Sequence, residues 1–132
     1  MKDIFYDDSN TSSILREVNL HRACRHPNVV VLYGYCTFIR RGQPCLWLVM
    51  EWMSQSLHEI IHIPPHANQF ANLRPLRVLS LATGCARGLE YLHTLPDPIM
   101  HRDIKPGNVL VDSEWTILKL ADFGLSSRAG AC

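Results

Sequence analysis

The sequence predicts an α+β fold in which two longer helices and a short one stand among short antiparallel strands, and three observations carry that expectation. In "LRVLSLATGCARGLEYLH", residues 76 to 93, the apolar Val78, Leu81, Cys85, Leu89 and Leu92 recur at three- and four-residue steps, the period of a helix face. The β-branched and aromatic runs "VVVLYGYCTFI" and "PCLWLVMEW" are separated by "RRGQ", the pattern of two strands joined by a tight turn. Two shorter runs, "NVLVD" and "ILKLAD", flank a turn at Ser113 and Glu114.

In chain order, "SNTSSILREVNLHRACRH" offers several N-cap residues, then Ile14, Leu15, Val18 and Ala23 among polar ones, and stops at Pro27. A helix over roughly 12 to 25 is expected there. The hairpin follows, and "SLHEIIHI" reads as a short helix. "PPHANQFANLRP" is rich in Pro and Asn without apolar periodicity, so it is expected to be a loop and a candidate boundary between two lobes. The helix at 76 to 93 ends where "LPDP" begins, because prolines disfavour helical backbone at the residues before them. No internal repeat or low-complexity tract interrupts this order.

At 132 residues the chain fits one modest domain. Thirteen Lys and Arg against twelve Asp and Glu leave a net charge near zero and no basic face for binding along nucleic acid, so no nucleic-acid partner is expected. The five cysteines, at 24, 36, 45, 85 and 132, are odd in number and contain no CxxC pair, as expected of thiols in a reducing compartment. The expected location is cytoplasmic. "MKDIFYDDSN" is acidic and no window reaches 18 consecutive apolar residues, so neither a signal peptide nor a membrane segment is expected in this chain.

The chemistry concentrates in "HRDIKPGN" and the later "DFG". Asp103, Lys105, Asn108 and Asp122 combine hard oxygen donors with a fixed cation on turns at strand ends. Magnesium carrying a phosphate group is the guest such donors suit. A carboxylate such as Asp103 can accept a hydroxyl proton, and Asn108 and Asp122 can share a metal that neutralises phosphate charge.

Those two motifs, in that order and spacing, resemble the catalytic loop and metal loop of eukaryotic protein kinases. The resemblance implies a two-lobed protein kinase-like fold, with ATP and Mg2+ as cofactors and a protein substrate phosphorylated on Ser or Thr. It casts Asp103 as catalytic base, Lys105 as the lysine at the transferred phosphate, and Asn108 and Asp122 as metal ligands. Lysine at position 105 resembles serine/threonine rather than tyrosine kinases. His101 and Phe123 fall in the packed column that holds the metal loop, and Arg102 suggests control by activation-loop phosphorylation. Glu17 stands where the αC glutamate does, nine residues before the His-Pro-Asn turn that begins at His26, and Lys2 is its candidate partner. Met50 resembles the gatekeeper, Glu51 to Met53 would offer backbone groups to adenine, and Leu110 would lie beneath the ring. His21 departs from the apolar residue usual in that column. The helix with its "HRD" most resembles tyrosine-kinase-like and receptor-like kinases.

The resemblance runs from the end of the lysine strand to the metal loop. Residues 1–53 would be the small-lobe remainder and hinge, and residues 54–132 the start of the large lobe. No glycine-rich GxGxxG loop precedes, and most of the large lobe is absent, so the expected fold is a truncated one. The chain reads as part of a longer kinase and is expected to be inactive when isolated. The helix at 76 to 93 would then show an apolar face to a partner.

Two other functions are compatible with parts of the sequence. "HEIIH", residues 58 to 62, matches HExxH, which sets two histidines one helical turn apart for zinc with the Glu as base. A zinc metalloprotease would need a third ligand, His66 or Glu90, and Pro64 and Pro65 break the helix before His66. The missing glycine loop fits a non-catalytic, pseudokinase-like interaction module. Gly84 and Gly88 are expected to serve close helix packing, and Trp47, Trp52 and Trp115 to be packing residues. Ser126 and Ser127 read as loop residues.

Overall fold

The computed structural model describes residues 3–5, 11–64, 66, 74–122 and 127–128. The chain divides into two units: residues 1–25 with 31–51, and residues 26–30 with 52–132.

In the first unit, α1 (Thr11–Ala23) accompanies a three-stranded sheet of β1 (Asp3–Phe5), β2 (Leu32–Arg40) and β3 (Gln43–Met50) in the order β1-β3-β2. Both pairings are antiparallel, with Phe5 opposite Cys45 and Arg40 opposite Gln43. The hairpin turn is two residues long, Arg41 at φ 52° and Gly42 at φ 78°. Positive φ at both positions is the turn geometry whose twist matches paired strands, and Gly42 adopts it without steric cost. Val18, Leu32 and Leu46 form the buried cluster of this unit, with Ile14, Leu48 and Met50 packed on it. His21 is buried on the same helix. Cys24 is buried too, its Sγ donating to the Leu20 carbonyl at 3.3 Å, and burial raises its thiol to about 11. Such a thiol stays protonated and unreactive at neutral pH.

The second unit contains α2 (Leu57–His62) and α3 (Pro75–Thr94) with five short strands: β4 (Gln55–Ser56), β5 (Ile99–Met100), β6 (Val109–Val111), β7 (Leu118–Leu120) and β8 (Ser127–Arg128). They pair as β4-β6-β7 and as β5-β8, each antiparallel. Val29 and Val30 look like the start of the hairpin in sequence, yet the hairpin begins at Leu32. The backbone of 28–30 is bonded elsewhere: Val30 N–H donates to Leu120 O and Leu120 N–H to Asn28 O, both at 2.9 Å, in a parallel bridge. The Asn28 carboxamide adds a bond to Leu118 O at 2.8 Å.

α3 begins with Pro75 in its first turn, where a missing N–H leaves no orphan, and ends at Leu95 before Pro96. Its buried line is Leu81, Gly84, Gly88 and Leu92. The expected apolar face is divided: Cys85 and Leu89 are half-buried and Val78 is exposed, as are Leu76 and Leu79. Glycine, rather than bulk, sets the contact line because the 26–30 segment comes so close. A Cβ at Gly84 would lie 2.9 Å from Asn28 Nδ2, and one at Gly88 2.7 Å from Asn28 O. The His26 ring stacks on Tyr91 at 4.9 Å. Among the described residues no helix is long and apolar enough to cross a membrane.

The β6–β7 turn is closed by Asp112. Its carboxylate accepts the N–H groups of Thr116 at 2.6 Å and Ile117 at 2.9 Å, and the Thr116 hydroxyl at 2.6 Å. Trp115 is buried at φ 53° and donates Nε1–H to Gln55 Oε1 at 3.0 Å. Trp47 packs on Phe38 at 4.2 Å, but Trp52 is 80% exposed, so the expectation of three packing tryptophans fails at Trp52. Burial pushes the Asp112 carboxyl up, while the bonds from Ile117 and Thr116 outweigh it and leave its pKa below the ordinary value. A depressed carboxyl stabilises the fold above its unfolded pKa and loses that stabilisation as pH falls through the folded one. Asp112→Ala is therefore expected to cost about 1–2 kcal/mol at neutral pH. Urea melts of the chain and its variant should converge as pH falls below the ordinary carboxylate range.

Candidate active site

The loop leading from β5 into β6 carries three of the four residues singled out for chemistry. Pro106–Asn108 forms a single 3-10 turn, closed by the Asn108 N–H donating to the Lys105 carbonyl at 2.9 Å. Proline opens that turn because its fixed φ suits the first helical position. Asn108 is buried, and its Nδ2 donates to both the Asp103 carbonyl at 2.9 Å and the Asp103 Oδ2 at 2.8 Å. Lys105 Nζ donates to the same Oδ2 at 2.6 Å. The Asp103 carboxylate is thus held from two sides, in one orientation.

The fourth residue arrives from β7. The Ala121 N–H donates to the Asn108 carbonyl at 2.9 Å, and His101 Nε2 donates to the Ala121 carbonyl at 2.9 Å. Both sides of Ala121 are thus tied to the segment of residues 101–108, and Asp122 follows immediately. Its charge acts on Lys105 and on His101. The structure therefore brings Asp103, Lys105, Asn108 and Asp122 together within one unit.

The electrostatics follow from these contacts. The Lys105 ammonium is the main cause holding the Asp103 carboxyl below the ordinary carboxylate value, with the Asn108 bond adding to it. In return the Asp103 carboxylate raises Lys105. Burial pushes the His101 imidazole down, so it stays neutral at neutral pH and serves as a donor. Asp103 is ionised there and can only accept hydrogen bonds.

Two backbone conformations in this loop pair have no signal in the sequence. Arg102 at φ 62° and Asp122 at φ 60° are non-glycine residues in the left-handed region. Such conformations are uncommon outside glycine and gather at functional sites.

The donor set fits a hard divalent cation. The Asn108 amide nitrogen is committed to Asp103, which turns its amide oxygen toward the role of ligand, and Asp122 contributes carboxylate oxygen. Two protein oxygens with the balance from phosphate and water is the usual manner of holding magnesium.

The remaining predicted positions divide between the units. Met50 is half-buried on the cluster of the first unit. The Glu51 N–H donates to the Val31 carbonyl at 2.9 Å and its carboxylate accepts the Val31 N–H at 2.7 Å. The Glu51 N–H is therefore not a group that can meet adenine, which narrows the expectation for that residue. Met53 and Leu110 are half-buried in the second unit, Leu110 opposite Ser56. Lys2, Phe123 and Ser126 lie outside the described residues, as do the side chains of Glu17 and Ser127.

The HEIIH segment has a different local role from the one its pattern suggests. Ser56 and Glu59 form a capping box: the Glu59 N–H donates to Ser56 Oγ at 3.2 Å, and Ser56 N–H donates to Glu59 Oε2 at 2.7 Å. The Ser56 backbone bond is the main cause lowering the Glu59 carboxyl. The Glu is thus taken up in helix initiation, and the S-x-x-E spacing was the sequence signal for it. His66 Nε2 lies 2.8 Å from Gln55 Nε2. Among the described residues no group of three or more His, Cys, Asp or Glu is placed to hold a metal ion.

The chain is 40% identical over 116 residues to the serine/threonine-protein kinase CTR1 of Arabidopsis thaliana, covering 87% of this chain and 13% of that protein. It is 38% identical over 130 residues to the probable serine/threonine-protein kinase drkD of Dictyostelium discoideum, covering 96% of this chain and 9% of that protein. The chain thus spans a small fraction of the length of these relatives. Among solved structures it superposes on a chain of the yeast RNA Pol II CTD kinase CTDK-1 complex with a TM-score of 0.75 and 24% identity, over 98% of this chain and 39% of that one. That likeness shows the two-lobed kinase fold, of which this chain carries a part. The profile of the protein kinase domain matches residues 1–131, and the chain belongs to that family.

Proposed function

We propose that the chain carries the catalytic and metal loops of a serine/threonine protein kinase that transfers the ATP γ-phosphate to Ser or Thr hydroxyls of a protein substrate. The observation that carries this reading is the Asp103 carboxylate, fixed by Asn108 and Lys105 on a turn that also anchors Ala121. Asp103 orients the substrate hydroxyl and accepts its proton, and Lys105 steadies the transferred group. Asn108 and Asp122 hold magnesium, which when bound supplies charge neutralisation to the phosphates. Met50, Glu51, Met53 and Leu110 surround adenine, with Glu17 and Lys2 ordering the phosphates. Residues 1–53 form the small-lobe remainder and hinge, and residues 54–132 the start of the large lobe. The isolated segment is a poor enzyme, its exposed Leu76, Val78 and Leu79 awaiting the rest of the large lobe or a partner. The protein works in the cytoplasm.

The test is phosphotransfer by a chain that joins this segment to the parts of a kinase domain on either side. With ATP, Mg2+ and a protein substrate, phosphoamino acid analysis should return phosphoserine and phosphothreonine. Phosphotyrosine alone, or ATP binding with no transfer to any substrate, would overturn the reading.

A further inference from the structure

HEIIH is the motif that phosphoryl transfer leaves unused. His58 and His62 stand one turn apart on α2, both exposed, with ring centroids 4.7 Å apart and ring planes at 52°. Two imidazoles on one ion hold their nitrogens about 2.0–2.1 Å from it, which puts each ring centre about 3.2 Å away. Ring centres are then about 4.5 Å apart for a right-angled pair of bonds and about 5.2 Å for a tetrahedral pair. The observed separation of 4.7 Å lies inside that interval with the backbone as it stands.

The helix beneath these rings is well held. Its capping box fixes the first turn, Ile60 is 1% exposed on its inner side, and it packs on the turn Pro106–Asn108. We propose that His58 and His62 form a two-imidazole binding site for a divalent transition-metal ion of the copper, nickel and zinc series. The site binds and does not hydrolyse, because the Glu59 carboxylate that would activate water is engaged by the Ser56 N–H and hydroxyl at 2.7 Å each. Two protein nitrogens leave the other coordination positions to water or an external donor. Imidazole nitrogens select these borderline ions over magnesium, so the site is chemically separate from the hard oxygen donors Asn108 and Asp122.

The probes are the metal ions alone, titrated into the 132-residue chain. Copper should bind at one equivalent and more tightly than nickel or zinc, following the general affinity order. Electron paramagnetic resonance of the one-to-one copper adduct should show coupling to two imidazole nitrogens. His58→Ala and His62→Gln should each weaken binding at least about tenfold. His93→Ala removes another exposed helical histidine and should leave binding unchanged. Both ring positions are exposed, and far-UV circular dichroism establishes that the variants stay folded. Copper bound as tightly by the folded His58→Ala chain as by the parent, or coupling to a single nitrogen, would sink the proposal.

Discussion

Asp122→Ala is expected to abolish phosphotransfer in a chain completed to a whole kinase domain, by at least about a thousandfold. Two separate losses contribute. The carboxylate oxygen proposed to meet the cation disappears, and alanine is forced to hold the φ of 60° that Asp122 adopts. The second loss is a backbone cost of roughly 1–2 kcal/mol, paid in folding rather than in catalysis. Asp122→Asn separates the two, since asparagine tolerates the left-handed region yet carries no charge. Its melting temperature should match the parent while turnover stays low. Turnover above a tenth of the parent in both variants would refute Asp122 as metal ligand.

Gly88→Leu is expected to prevent the second unit from assembling. Even a bare Cβ at that position meets Asn28 O at 2.7 Å and Leu120 Cδ1 at 3.0 Å. The first of these is backbone, held by the Leu120 N–H, and cannot swing aside. Overpacking of a fixed contact costs typically about 1–3 kcal/mol, and a leucine adds three further carbons in the same direction. Gly88→Ala is the graded test, because alanine also gains up to about 1 kcal/mol of helix propensity. A net loss in denaturant melts for alanine and no cooperative transition for leucine are the expected results. A stabilised Gly88→Ala chain would show that α3 does not press on the 26–30 segment.

These two positions also show what was legible in the sequence. The period of Leu81, Leu89 and Leu92 placed α3 to within one residue at either end, since helix boundaries here coincide with Pro75 and the "LPDP" stop. The GxxxG spacing of Gly84 and Gly88 announced a close approach without naming what approaches. The strand start at Leu32 was not legible, because Val29 and Val30 are as β-branched and apolar as the strand they precede, and only long-range pairing to Leu120 distinguishes them. In the site, residue identity came from motif spacing. The orientation of Asp103 comes from the near neighbours Lys105 and Asn108 once the 3-10 turn has formed, and the left-handed backbone at Arg102 and Asp122 is a conformation that no residue type there advertises.

The bond from the Asn28 carboxamide to Leu118 spans 90 residues of chain. It means that the sequences of the two units are completed at different times during synthesis. Every residue of the first unit has been made once Glu51 leaves the ribosome. The second unit takes its earliest segment from residues 26–30, which lie upstream of the hairpin, and the bridge from that segment closes only when Leu118 to Leu120 emerge. For that interval the backbone of Asn28 to Val30 has no sheet to join, and the loop it must close is among the longest in the chain, a slow step for any fold.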